Sequence, residues 1–130
     1  GKVTVNDGIL NKPGKLTDGE RQIVQTHPVL GAGLCAQVPL SQEAFNGILF
    51  HHERVDGSGY PAGLTSQEIP MPVRVLAVAD VYDALVSKRA YAPARTPFDA
   101  LSAMRQELER HLDPEAYKLL VLVLSGAEIV

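Results

Sequence analysis

Apolar positions recur every three to four residues along most of the chain, and no stretch alternates apolar with polar residues as a half-buried strand would. The pattern predicts an all-α fold. Residues 1–16 read as irregular, because Gly8, Pro13 and Gly14 interrupt any period while Lys2, Lys12 and Lys15 make the segment basic. Thr17-Asp18-Gly19-Glu20 has the spacing of a capping box, which predicts a short helix over 18–26. His27-Pro28 should end it, since a residue before proline disfavours helical angles. A second helix is expected over 28–36, with Pro28 in its tolerated first turn. Pro39 and Ser41 mark the next boundary. Ala44, Phe45, Ile48, Leu49 and His52 then fall at helical spacing and predict a helix over 42–53.

After a glycine-rich turn, Ile69-Pro70-Met71-Pro72 restarts the chain into a helix over 73–86. It is apolar almost all the way round, so it is expected to be the central buried helix. Thr96-Pro97 opens another helix over 98–110. Asp113-Pro114 opens the last, which Gly126 stops. The apolar run from Leu119 to Leu124 is far too short to span a membrane, and a buried terminal helix is expected there.

At 130 residues the chain makes one domain, with 45% hydrophobic and 21% charged residues. A formal net charge of −3 argues against a broad surface for polymeric nucleic acid, yet leaves room for a small anionic substrate met by a local cluster of cations. Cys35, the single cysteine, allows no internal disulfide and reads as a core residue; with no leader or membrane span, a cytoplasmic setting is expected.

The chemistry concentrates in His51-His52-Glu53-Arg54-Val55-Asp56-Gly57-Ser58-Gly59-Tyr60-Pro61-Ala62-Gly63-Leu64. Successive helical residues point about 100° apart, so His51 and His52 suit two neighbouring ions, or one ion and a substrate. Asp80 and Asp83 lie three apart on the most apolar helix and share a face. A buried carboxylate needs a cation opposite it: Arg74, Lys88 or Arg89 in a salt bridge, or a metal ion. With His51 and His52 nearby in sequence, a metal is the better explanation for Asp80, and Asp83 is expected to orient a ligating histidine. Glu53 is given the same outer role. His111, beside Leu112-Asp113-Pro114, reads as part of a helix cap.

HHERVDGSGYPAGL, with VADVYDAL downstream, resembles the HD-GYP domain, a bacterial subgroup of the HD phosphohydrolases. The resemblance implies a helical bundle of the HD-domain type, of which this chain would be the C-terminal two-thirds. The family's His-Asp pair is expected just before Gly1-Lys2. Carried over by position, His27, His51, His52 and Asp80 would ligate two or three divalent ions, iron or manganese first and zinc or nickel as alternatives. Lys2 would reach a phosphate or the attacking hydroxide, Arg89 would hold a substrate phosphate, and Tyr60 would line the same pocket. Ala92 departs from the pattern, which usually has a basic residue there. The implied reaction is metal-dependent hydrolysis of cyclic di-GMP to pGpG or GMP in bacterial signalling, with Lys2 and Asp80 in catalytic roles. The rival is an inactive module that binds the dinucleotide or docks a partner. Implied partners are an upstream sensor or receiver domain and, through the GYP turn, a diguanylate cyclase of the GGDEF type. A homodimer is also expected, from the apolar groove that missing helices would leave beside residues 73–85.

Overall fold

The computed structural model describes residues 2–87, 93–107 and 110–126. Seven α-helices follow one another among them: α1 (Asp7–Leu10), α2 (Asp18–Gln25), α3 (His27–Cys35), α4 (Gln42–Phe50), α5 (Met71–Val86), α6 (Pro97–Glu107) and α7 (Pro114–Leu124). A single 3-10 turn, Lys2–Thr4, precedes them. Among the described residues the extended backbone is limited to an isolated antiparallel bridge between Asp56 and Thr65, so the all-α expectation holds.

Local chemistry sets the helix starts. The Thr17 hydroxyl accepts the Glu20 N–H at 3.3 Å while the Glu20 carboxylate accepts the Thr17 N–H at 2.7 Å, the reciprocal box read from the sequence. Ser41 accepts the Ala44 N–H at the head of α4, and Asp113 accepts the Ala116 N–H at the head of α7. Each such cap contributes about 1 kcal/mol. The basic segment is less irregular than its glycines suggest, because Asn6 accepts the Gly8 N–H at 2.7 Å and starts α1. Pro28 breaks less than expected: only Thr26 separates α2 from α3, and the Leu30 N–H bonds back to the Thr26 carbonyl.

Val73, Ala77 and Val78 recur on one side of α5 and are buried. That helix packs against α4 and, elsewhere on its surface, against α6 and α7. Val78 joins Met104, Leu112 and Ala116 in a core flanked by Val81, Tyr82, Leu85, Tyr117 and Leu120. Gly47 is buried where α4 meets α5; a Cβ there would stand 3.2 Å from a Leu76 methyl carbon, so the small residue sets the approach of the two helices. The expectation of fully buried α5 and α7 is corrected. Val75 and Leu76 are more than 40% exposed, as are Leu119 and Val123. Apolar composition all round a helix does not fix how many of its sides have neighbours.

Candidate metal centre and the adjoining loop

Contact between α3 and α4 brings the first residue of one helix to the end of the other. His27 opens α3 and is 5% exposed. His51 caps the C-terminus of α4, and His52 follows it into the loop over 51–70. A ring nitrogen from each of the three lies within 4.8 Å of the others.

The hydrogen bonds fix which nitrogens face inward. His27 Nδ1 donates to the Val24 carbonyl at 2.7 Å, and His51 Nδ1 donates to the carbonyls of Gly47 and Ile48 at 3.1 and 3.0 Å. With Nδ1 so engaged, Nε2 of either ring carries a lone pair whenever that ring is neutral. These two Nε2 atoms face each other at 3.3 Å. Two such lone pairs repel unless something positive lies between them. Imidazole nitrogens each about 2.1 Å from one ion stand about 3.0–3.4 Å apart at octahedral or tetrahedral angles, so the separation suits shared ligation. The donor set fits a divalent metal.

Burial, reinforced by the charges of His51, His27, Arg54 and Lys2, pushes the His52 imidazole down to about 3, so it is neutral and able to donate a lone pair at neutral pH. His27 is also pushed below its usual value, chiefly by burial, against the opposing pull of the Val24 carbonyl. Tyr60 stacks on His52 with ring centroids 4.9 Å apart and planes 26° apart, and burial pushes its phenol up. Asp80 sits at the edge of the cluster, with Oδ2 3.8 Å from His52 Nδ1 and its side chain 42% exposed. The salt-bridge alternative through Arg74 is removed: that guanidinium binds Asp113 at 3.0 Å and the Ile69 carbonyl at 2.8 Å. Lys88 and Arg89, together with Ala92, lie outside the described residues.

Two outer carboxylates do not stand where the sequence suggests. Asp83 is exposed and accepts the Ser87 hydroxyl at 3.1 Å rather than orienting an imidazole. Glu53 is 2% exposed, and its carboxylate turns into the loop, where it accepts the N–H groups of Ala62 (2.7 Å), Gly63 (3.2 Å) and Leu64 (2.9 Å). A carboxylate can accept several N–H bonds at once, and three successive amides curled round it form a tight closure. Gly59 fits inside that closure because it lacks a side chain: a Cβ would stand 2.4 Å from the Arg54 nitrogen. The loop is also tied outward, through the Val55 N–H to the His111 carbonyl at 3.2 Å. His111 itself bonds Glu107 through Nδ1 and lies 3.9 Å from Asp56 through Nε2, in keeping with a structural role. Cys35 is half-buried on α3 rather than a core residue.

Beside His27 and His52, which line it in part, lies a cavity of about 940 Å³, lined also by Lys2 and Tyr60 and by residues of α1, α2 and the segment between them. Lys2 shares this lining with His27 and His52. Lys12, Lys15 and Arg21 share the same lining and were not read as site residues. Their signal was the basic run around Pro13-Gly14, visible but without a motif to attach it to.

The family model for the HD domain matches residues 1–116. The chain belongs to the HD domain family. Its histidine pair running into Gly59-Tyr60-Pro61 is that of the HD-GYP branch. HD domain hydrolases bind divalent metals, and a cluster of three histidines able to hold one is present here. A cyclic di-GMP phosphodiesterase of Pseudomonas aeruginosa is 44% identical over 124 residues, covering 93% of this chain and 29% of that protein. A 3'3'-cGAMP-specific phosphodiesterase of Vibrio cholerae is 36% identical over 129 residues, covering 96% of this chain and 27% of that protein. This HD domain thus spans under a third of the length of those curated relatives. The structure of an HDG"Y"P protein from Bdellovibrio bacteriovorus superposes with a TM-score of 0.72 at 20% identity, over 95% of this chain and 38% of that one, which establishes the fold. No helix among the described residues is long and apolar enough to cross a membrane.

Proposed function

We propose that the protein containing this domain is a metal-dependent phosphodiesterase that hydrolyses cyclic di-GMP to pGpG or GMP. The observation that carries the reading is the pair of inward-facing Nε2 lone pairs of His27 and His51, 3.3 Å apart beside a cavity edged by Lys2. The Pseudomonas relative, named a cyclic di-GMP phosphodiesterase, supports the choice of substrate.

His27, His51 and His52 would hold the metal, with Asp80 as the carboxylate ligand at the margin. Mixed imidazole and carboxylate donors suit two or three iron or manganese ions, with zinc or nickel as alternatives. Bound there, divalent ions supply Lewis acidity to a phosphate oxygen and acidify water enough to give hydroxide near neutral pH. The Lys2 ammonium, on the cavity side, binds the scissile phosphate and stabilises charge growing on its oxygens. Tyr60 braces His52 by stacking and walls the pocket, so that the dinucleotide meets a fixed surface. Arg89 is assigned the neighbouring phosphate oxygen on resemblance alone.

The test is turnover of cyclic di-GMP by the full-length protein after chelation and after reloading with iron or manganese, with nucleotide products resolved by chromatography. Activity lost with the metal and restored with it is the expected result. A metal-loaded protein that leaves cyclic di-GMP intact overturns the reading, and binding without turnover would support the docking-module rival. The Vibrio relative favours one second reading, hydrolysis of 3'3'-cGAMP, which the ratio of kcat/KM for the two dinucleotides decides.

A further inference from the structure

We infer that the wall of the large cavity formed by α1, α2 and their connection is the subsite for the half of the dinucleotide that is not cleaved, with Lys15 and Arg21 binding its second phosphate. The inference rests on the proposed cyclic-dinucleotide substrate and extends it to residues with no assigned role.

Among the described residues the cavity lining carries four cationic side chains, Lys2, Lys12, Lys15 and Arg21, and no carboxylate. In a chain of net charge −3 this is a local excess, and its position beside the histidines makes it a place for an anion rather than a solubilising surface. The four are not equivalent. Lys12 is spoken for: both oxygens of Glu20 accept from it, at 2.9 and 2.7 Å, which pins the connection to α2. Lys2 stands at the histidine side. Lys15 and Arg21 have no ion-pair partner among the described residues, and both are exposed. Arg21 lies one turn before Val24 on the same face of α2, and so about 4.5 Å further along the helix from the His27 end. Lys2, ahead of α1, and Lys15 with Arg21, on the connection and α2, thus reach one cavity from different elements, with the apolar side chains of Ile9 and Leu16 also in its lining. A cyclic dinucleotide presents two phosphates on opposite sides of its ring and two flat, largely apolar bases. A diester with one phosphate would engage Lys2 and leave Lys15 and Arg21 idle. A volume of about 940 Å³ lies at the upper end of the range for small-molecule sites, so it accommodates both halves.

The experiment uses the full-length protein and its Lys15→Ala/Arg21→Ala variant. Binding of a fluorescent cyclic di-GMP analogue is measured after chelation, where no turnover intervenes. Turnover of cyclic di-GMP and of bis(p-nitrophenyl) phosphate, which has one phosphate, is measured after metal loading. The variant is expected to raise Kd and KM for cyclic di-GMP about tenfold or more, to flatten the salt dependence of binding, and to leave KM for the single-phosphate diester unchanged. The exchange Lys15→Arg/Arg21→Lys, which keeps both charges, is expected to stay within about threefold of the parent and guards against a folding defect. Equal Kd for parent and variant overturns the inference, as does an equal shift for both substrates or no binding of cyclic di-GMP by the parent. A parent that binds cyclic di-GMP but cleaves neither substrate defeats the phosphodiesterase reading, and the Kd comparison alone then decides the subsite.

Discussion

Replacing Glu53 should cost the domain more than replacing any exposed carboxylate. In Glu53→Gln, Oε1 can still accept from Ala62 and Gly63, but an NH2 group takes the position of Oε2 and meets the Leu64 N–H donor to donor. One charge-assisted bond is lost, at about 1.5–3 kcal/mol, and the two surviving bonds lose their charged acceptor. A net destabilisation of about 2–4 kcal/mol follows, which is a large share of the 5–15 kcal/mol typical of a domain. Glu53→Ala leaves three loop N–H groups without their acceptor and a void at a buried side chain, and should cost more, about 4–6 kcal/mol. For a chain of this size each kcal/mol moves Tm by roughly 3–5 °C, so the Gln variant should melt about 10 °C below the parent. Circular dichroism melts give the total, and amide hydrogen exchange at Ala62, Gly63 and Leu64 assigns it to the loop. A Glu53→Gln protein that melts within about 2 °C of the parent, with those amides still protected, would refute the argument.

Other consequences follow from the same geometry. His27→Ala and His51→Ala should each lower bound divalent metal by at least about tenfold, read by elemental analysis after dialysis, because each removes one of the facing Nε2 donors. Gly59→Ala must push apart backbone atoms that would lie 2.4 Å from its Cβ; a loss of about 2 kcal/mol or more is expected in a denaturant titration, and a neutral result would mean that the loop packs differently. Burial of Asp113 opposes its charge, but the Ala116 N–H and the Arg74 guanidinium outweigh burial and hold the carboxyl below its usual 3.8. A lowered folded value means that the stabilisation is present above pH 3.8 and lost as pH falls through the folded value, so acid unfolding of Asp113→Asn should be shallower than the parent's in that window. Tyr60→Ala should raise KM for the dinucleotide more than it changes metal content, since the ring stacks on His52 without donating to the cluster.

The sequence was legible where local rules act alone. The capping box at Thr17-Glu20 and the caps at Ser41 and Asp113 state helix starts in a few adjacent residues, and each is formed. The convergence of His27, His51 and His52 was legible only through the family pattern, because the contact of α3 with α4 is not written in the spacing of either helix. Glu53 was misread for a related reason. Next to two histidines it resembles an outer partner of a ligand, whereas its direction is set by amides nine to eleven residues away. The pairing of Arg74 with Asp113, 39 residues apart, had no local trace either. Exposure of Val75 and Leu76 depends on which elements cover α5, a tertiary fact that apolar periodicity does not encode.

His27 and His51 each spend one ring nitrogen on carbonyls at a helix end, Val24 in the last turn of α2 and Gly47 with Ile48 in the last turn of α4. An ion seated on the other nitrogens would act as a rivet through the ends of both helices and the start of α3. Chelation should therefore be felt as fraying, with faster hydrogen exchange near residues 24–28 and 48–52, and apo and loaded forms should differ in order there as well as in reactivity.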